Sequence, residues 1–97
     1  MTRKDIANAR AMKLYDVALS VVHLRGSMMA RGSLPIMRYR SGNGISIYHM
    51  PLSGHLDLWC TNRKVLTIER CDRALRVTRY KPGYWEDELV KASKTAA

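Results

Sequence analysis

Residues 45–60 read ISIYHMPLSGHLDLWC, in which two runs of alternating apolar and polar residues flank the turn segment Pro51–Gly54. Alternation with a period of two indicates half-buried β-strands, and a connection of four residues joins antiparallel neighbours. Similar runs lie on both sides of this pair, at Ile36–Arg40, Lys64–Cys71 and Ala74–Tyr80. Residues 36–80 are therefore predicted to form an antiparallel meander of four or five strands.

Arg38 and Arg40 predict which strand lies at an edge of this sheet. Both are expected to alternate onto the side of the run Ile36–Arg40 that is otherwise apolar. Inward-pointing charges are one way in which proteins protect an edge strand against pairing with other chains. We therefore expect Ile36–Arg40 to be an edge strand.

Helical patterns lie before and after the strands. Apolar residues recur at steps of three and four, which predicts a helix over about residues 3–25 that ends at Gly26. Acids followed by lysines predict a shorter helix over about 84–93, with a frayed tail at 94–97. Residues 26–34, which contain two glycines and two arginines, are expected to form a mobile basic loop. Residues 1–97 are thus predicted to be a single α+β domain.

Turn lengths predict which strand residues lie opposite each other. The four-residue turn places Tyr48 opposite Asp57, and a turn at Thr61–Arg63 places Leu58 opposite Leu66. One side of the sheet, termed the core face, then collects Ile45, Ile47, Leu56, Leu58, Leu66, Ile68, Leu75 and Val77, and the first helix should cover it. The other side, termed the second face, collects Tyr39, Tyr48, Met50, His55, Asp57, Trp59, Val65, Thr67, Glu69, Arg76, Thr78 and Tyr80.

The charge of the chain points to a polyanionic partner. The 97 residues include 17 Lys+Arg and 8 Asp+Glu, for a net charge of +9. No acid lies between Val17 and Leu56, a span that contains Arg25, Arg31, Arg38 and Arg40. The planar guanidinium group matches phosphate and carboxylate geometry. A solvated surface that only keeps the protein soluble is the alternative interpretation of the same charge.

The apolar stretches and the cysteines predict where the protein acts. The longest apolar stretch near the N-terminus, Val17–Leu24, is interrupted and far shorter than the roughly 20 residues of a membrane-spanning helix. No signal peptide is evident, so a cytoplasmic location without membrane association is expected. Cys60 and Cys71 form no C-x-x-C pair and fall on opposite faces, which predicts reduced thiols and excludes a disulfide between them.

The second face combines aromatic rings with cations, as modules that bind single-stranded nucleic acid do. The binding residues predicted are Arg25, Arg31, Arg38, Arg40, Tyr48, Trp59, Arg76 and Tyr80. The sequence therefore predicts a small, basic, non-enzymatic module whose partner is nucleic acid, a nucleoprotein complex or an acidic protein surface. In size it is similar to accessory proteins with which phages and plasmids block host machinery, including defence complexes, by steric means.

Three other interpretations of these residues stay open. The C-terminal helix could cover Tyr48, Trp59 and Tyr80 and make them a second small core. The methionines at 28 and 29 could dock on a protein already bound to nucleic acid. Finally, the chain could be a subunit of a larger assembly, in which case it would self-associate.

An enzymatic alternative rests on His55, Glu69 and Arg76. The predicted register places His55 opposite Glu69, and Arg76 opposite or diagonal to Glu69. Two such groups can move protons in RNA cleavage while the arginine stabilises the charged phosphorane. In topology and basicity this arrangement resembles the small ribonucleases and the RelE-type toxins, although it has none of their sequence motifs. A cross-strand ion pair beside a surface histidine is the structural alternative.

Metal and cofactor binding are not predicted. His49, His55, Cys60 and Cys71 have spacings unlike those of a zinc site. His49 falls on the apolar side of its strand and is expected to be a hydrogen-bonded core residue.

Overall fold

The computed structural model describes residues 2–94, with the backbone alone for Arg31. Its elements are α1 (Arg3–Arg25), β1 (Ser27–Arg31), β2 (Leu34–Arg40), β3 (Ile45–His49), β4 (Leu56–Cys60), β5 (Arg63–Cys71), β6 (Ala74–Tyr80) and α2 (Trp85–Lys94). The strands form one antiparallel sheet in the order β1-β2-β3-β4-β5-β6. The predicted α+β meander between two helices is confirmed, with one strand more than expected. Of the predicted tail, Lys94 ends α2 and 95–97 lie outside the described residues.

Hydrogen bonds at both ends fix the length of α1. At the start, Asp5 N donates to Thr2 Oγ1 (3.1 Å) and Thr2 N donates to Asp5 Oδ2 (3.3 Å), which is a capping box. At the end, Gly26 N donates to the Val22 carbonyl oxygen (2.9 Å). A Cβ atom at Gly26 would lie 2.8 Å from the Arg38 carbonyl oxygen and closer still to that of Val22. Glycine is needed here because the last turn of α1 and the backbone of β2 both approach closely.

The expected mobile loop over 26–34 is instead a β-hairpin, so that prediction is wrong. β1 pairs with β2 from Ser27, opposite Arg38, onward. The strands are joined by the turn Gly32-Ser33, in which Gly32 has φ +66. Gly32 therefore lies in the hairpin turn, whereas Gly26 ends α1. Because β1 occupies the edge, the run Ile36–Arg40 is not an edge strand, contrary to expectation.

The two sides of β2 are reversed relative to the prediction. Arg38 lies opposite Tyr48, and Tyr39 lies opposite Ile47. Arg38 and Arg40 therefore lie on the second face, and Tyr39 belongs to the core face. This register keeps the guanidinium groups out of the apolar core, where each charge would need a buried partner.

The pairing of β3, β4 and β5 confirms the predicted register. Tyr48 lies opposite Asp57 on β3 and β4, and Leu58 lies opposite Leu66 on β4 and β5. Both helices pack against the core face, because their buried side chains belong to the same apolar cluster as those of the strands. The largest members with less than 2% exposure are Trp85, Ile47, Leu56, Leu58, Leu66, Ile68, Leu89, Val21 and Val22.

Two β-bulges move residues to faces that alternation does not predict. Leu58 pairs with Leu66 but Trp59 pairs with Lys64, so Val65 is an extra residue, and it is buried in the core rather than on the second face. Correspondingly, β5 begins at Arg63, and the predicted three-residue turn is two residues long.

The second bulge lies at Thr78. Thr67 pairs with Arg79, whereas Ile68 pairs with Val77. The extra residue places Tyr80 opposite Leu66, on the core face. The prediction that Tyr80 lies on the second face is therefore wrong.

Candidate binding surface

The second face has no helix of residues 2–94 packed against it. Arg38, Tyr48 and Trp59 are half-buried there, and Arg40, Arg76 and Arg79 are exposed. The alternative that α2 covers three aromatic residues as a second small core is wrong, because Tyr48 and Trp59 lie away from α2 and Tyr80 packs against the main core cluster. Tyr80 packs edge-to-face on Trp85 with ring centroids 6.2 Å apart, and its hydroxyl donates to Glu86 Oε1 (3.0 Å).

An apolar depression of about 410 Å³ lies between the aromatic residues of the second face. It is lined by Met29, Ala30, Ile36, Tyr48, Met50, His55, Asp57 and Trp59. Tyr48 and Trp59 are diagonal neighbours, since Tyr48 pairs with Asp57 and Trp59 pairs with Ser46. Diagonal aromatic side chains on adjacent strands are within reach of each other. The volume of the depression lies in the usual range of about 300–1,000 Å³ for ligand sites.

A polar depression of about 520 Å³ adjoins the apolar one. Its lining residues are His55, Asp57, Trp59, Lys64, Thr67, Glu69, Thr78 and Arg79. His55, Asp57 and Trp59 line both depressions, so the two form a continuous concave surface.

A hydrogen-bonded cluster forms the floor of the polar depression. His55 Nε2 lies 3.0 Å from Asp57 Oδ2, and His55 Nδ1 lies 3.9 Å from Glu69 Oε2. The other oxygen of Asp57 accepts a hydrogen bond from Thr67 Oγ1 (3.0 Å) and lies 3.7 Å from Lys64 Nζ. Asp57 is therefore held from several sides by His55, Thr67 and Lys64, whereas Glu69 makes one long ion contact within residues 2–94 and its side chain stays 42% exposed.

The predicted proximity of His55 and Glu69 is confirmed, and Arg76 lies opposite Glu69. Asp57 also contacts His55, although the enzymatic alternative did not include it among its residues. The signal was present in the sequence, because Asp57 follows His55 by two residues, and residues two apart on a strand share a face.

Lys64 adds a cation to the aromatic part of the surface. Its Nζ atom lies 5.3 Å from the centroid of the Trp59 ring, at cation–π distance. The bulge at Val65 makes this possible, because it pairs Lys64 directly with Trp59. Lys64 was not among the predicted binding residues, and neither was Arg79, which the bulge at Thr78 brings to the second face.

The eight predicted binding residues do not all lie together. Those that share the second face are Arg38, Arg40, Tyr48, Trp59 and Arg76. Arg25 lies on the helical side, where its Nε atom donates to the Ala92 carbonyl oxygen of α2 (3.1 Å). Arg31 ends the edge strand β1, opposite Leu34. Arg25 and Tyr80 therefore connect elements of the fold rather than lining the second face.

His49 is buried on the core face, as predicted, but the prediction that its ring is hydrogen-bonded is wrong for Nδ1. Its Nδ1 atom has no hydrogen-bond partner among the described residues. Its ring packs edge-to-face on His23 with centroids 5.6 Å apart. Burial lowers the pKa of His49, and the nearby His23 and His55 lower it further.

Comparisons of the chain with protein-family models, with curated proteins and with solved structures find no match. Within residues 2–94, no group of three or more His, Cys, Asp or Glu side chains is arranged to hold a metal ion. In the same part of the chain, neither helix is long and apolar enough to cross a membrane. The candidate site therefore rests on the geometry of the second face.

Proposed function

We propose that this protein is a non-enzymatic module that binds single-stranded nucleic acid, free or within a nucleoprotein complex, on its second face. One observation carries the proposal: Tyr48 and Trp59 flank an apolar depression on the side of the sheet away from both helices. Aromatic residues on such a sheet surface can stack on unpaired bases, and each stacked base contributes about 1–3 kcal/mol.

Cations lie on both sides of these two aromatic residues. Arg38 and Arg40 come from β2, whereas Arg76 and Arg79 come from β6. Four strand spacings of about 4.8 Å separate β2 from β6, or roughly 19 Å. A nucleic-acid backbone that crosses the strands would thus contact guanidinium groups on both sides of the aromatic centre, which is formed by Tyr48 and Trp59.

The acids of the second face are compatible with a polyanion. Asp57 contacts His55 and Lys64, so its charge is offset locally. Glu69 is the more exposed acid, and a carboxylate can accept hydrogen bonds from the amino groups of bases. The net charge of +9 dominates at longer range and would speed the approach of a polyanion.

A binding module of this kind would act by steric inhibition. Bound on an exposed strand or on a nucleoprotein assembly, it would block the path of other components, as expected of a phage- or plasmid-type inhibitor of host machinery. Small size and high positive charge support this interpretation. An acidic protein surface is the alternative partner.

Fluorescence anisotropy with a labelled single-stranded oligonucleotide of about ten nucleotides tests the proposal. Trp59→Ala should weaken binding about tenfold or more, because it removes a stacking surface. Tyr84→Ala is the matched control, since Tyr84 is 58% exposed but lines neither depression of the second face. Equal binding by wild type and Trp59→Ala would contradict the proposal. Absence of oligonucleotide binding, with nuclease-resistant capture of an acidic protein, would instead support the alternative partner.

A ribonuclease is the second candidate function, and the His55 cluster favours it. Asp57 and Glu69 flank the two ring nitrogens of His55 at 3.0 and 3.9 Å, in a depression that Arg79 also lines. Such a group could accept the 2′-hydroxyl proton and protonate the leaving oxygen. RNA incubated with the protein and a chelator would then be cleaved, and His55→Asn and Glu69→Gln would abolish cleavage. DNA of the same sequence, which lacks the 2′-hydroxyl, should stay intact. Intact RNA would reject this candidate.

A further inference from the structure

The outer edge of β1 is exposed and pairs with no strand of the described chain. β1 is the first strand of the sheet and pairs with β2 alone. Ser27, Met28, Met29 and Ala30 are all exposed, with Met28 at 63% and Met29 at 38%. The free N–H and C=O groups of such an edge are a template for another strand.

The opposite edge of the sheet is protected, whereas the β1 edge is not. β6 carries the charges of Arg76 and Arg79, and the bulge at Thr78 interrupts its regular pairing. Charges and bulges are the usual protections of an edge strand. The pairing of β1 with β2 is regular, and residues 28–30 are uncharged. The two edges therefore differ in their readiness to accept a further strand.

We infer that β1 pairs antiparallel with β1 of a second copy of this chain, so that two six-stranded sheets become one continuous sheet. The five residues of β1 pair over their whole length only when Met29 lies opposite Met29 of the copy. Met28 then lies opposite Ala30, and Ser27 lies opposite Arg31. This register pairs residues of the same face, as the pleat requires.

The charge pattern of β1 favours its own copy as the added strand. Arg31 is the one charged residue of the strand, and in this register it lies opposite a serine instead of another arginine. Uncharged residues lie opposite Met28, Met29 and Ala30, so no charge has to be buried against a methionine. An acidic strand would place carboxylates at these apolar positions.

The symmetry of this pairing determines the relative orientation of the two copies. Antiparallel strands from identical chains are related by a two-fold axis perpendicular to the sheet. The helices of both copies would therefore lie on one side and both second faces on the other. Since Met29 lines the apolar depression, the depressions of the two copies would meet across the axis. The inference itself needs only the β1 edge, whatever the second face binds.

Sedimentation equilibrium of charge variants tests the pairing. Wild type should form dimers as its concentration rises. Met29→Lys and Met29→Glu should each weaken association about tenfold or more, because like charges would meet on the axis. An equimolar mixture of the two variants should form heterodimers more tightly than either variant dimerises alone. Thr78→Lys adds the same charge at the exposed β6 edge and should leave association unchanged.

Disulfide trapping supplies a second readout in case the charge variants disturb the β1–β2 hairpin. In a background without Cys60 and Cys71, Met29→Cys should form an intermolecular disulfide, because residues directly opposite across a strand pair are within bridging distance. Ala30→Cys should cross-link much less, since residue 30 lies opposite residue 28 of the copy. A wild type that stays monomeric at about millimolar concentration would overturn the inference, as would equal cross-linking at residues 29 and 30.

Discussion

The Nε atom of Arg10 lies 2.6 Å from Oε1 of Glu86, an ion pair that joins α1 to the first turn of α2. Glu86 is only 6% exposed, and its carboxylate accepts hydrogen bonds from three donors, of which Arg10 is the first. Tyr80 donates to the same oxygen at 3.0 Å, and Gly83 N donates to the other at 3.1 Å. The hydrogen bond and charge of Glu86 raise the pKa of Arg10, and burial is the main cause that raises the pKa of Tyr80. This carboxylate holds the C-terminal helix against the core face and away from the second face.

Glu86→Ala should therefore lower the free energy of unfolding. The Tyr80 hydroxyl and the Gly83 N–H would lose their acceptor in a partly buried position, which costs about 1–3 kcal/mol. Urea denaturation followed by circular dichroism measures the change. Asp87→Ala is the matched control, because Asp87 is exposed in the same helical turn and its replacement should change stability little. Equal losses in both variants would contradict the role given to Glu86.

The stability of the protein should fall when the solution is acidified below about pH 6.5, and His49 should be one cause. Burial lowers the pKa of His49 from its ordinary value of 6.5. Below that pH the unfolded chain binds more protons at this position than the folded chain does, so the stability present above 6.5 is lost as pH falls. Urea midpoints at about pH 7.5 and about pH 5 measure this loss.

His49→Leu should remove much of the acid sensitivity. The variant should also be as stable as wild type or more stable at neutral pH, because the unpartnered Nδ1 atom is removed from the core. His23→Gln should remove a smaller part of the acid sensitivity, because burial is the main cause that lowers the pKa of His49 and His23 only adds to it. If His49→Leu retained the whole acid-dependent loss, other groups would be responsible for it.

Gly26→Ala should destabilise the connection between α1 and β1. The added methyl group would collide with the carbonyl oxygens of Val22 and Arg38, and both are backbone atoms that cannot move aside without shifting an element. A loss of about 1–3 kcal/mol is expected, as for other overpacked positions. Gly42→Ala is the matched control, because a Cβ atom at Gly42 would have no atom within 4 Å other than those of its own and the adjacent residues. The thermal midpoints of the two variants compare these positions directly.

The central strands could be predicted from sequence because an error there is costly. A slip of one residue would carry Leu58 and Leu66 to the second face and their polar neighbours into the core. Turn length and alternation therefore agree on one register. The closeness of His55 and Glu69 follows from that register alone.

The edges of the sheet could not be predicted in the same way. Met28 and Met29 show no alternation of polarity, and the glycines beside β1 are equally typical of a loop. Only pairing with β2 makes the segment a strand. The faces of β2 were predicted wrongly because the run Ile36–Arg40 has apolar residues on both of its sides. Its alternation therefore does not show which side is buried.

The bulge at Thr78 shows why the position of Tyr80 was not predictable either. Strict alternation over residues 77–80 puts Arg79 on the core face and Tyr80 on the second face, and nothing in the local sequence marks the position of an extra residue. The bulged register is the one in which Tyr80 reaches Trp85 and Glu86 of the C-terminal segment. These are tertiary contacts, and no local pattern specifies them.

The salt dependence of binding should show which arginines contact phosphate. For single-stranded nucleic acid, each phosphate contact contributes about 0.7 to the slope of log affinity against log salt concentration. Arg38→Ala and Arg76→Ala remove one guanidinium group on each side of the aromatic centre, and each should reduce the slope by about that amount. Anisotropy titrations between about 50 and 200 mM salt measure the slopes.

Arg3→Ala is the matched control for this measurement. It removes the same charge from an exposed position at the start of α1, on the helical side of the sheet. If only the net charge of the protein mattered, all three variants would reduce the slope alike. Direct phosphate contact would reduce the slope in Arg38→Ala and Arg76→Ala alone. The double variant of Arg38 and Arg76 should reduce the slope by about 1.4, because the two residues lie on different strands, β2 and β6, on either side of Tyr48 and Trp59, and act independently. If Arg3→Ala reduced the slope as much as the others, the phosphate backbone would not follow the second face.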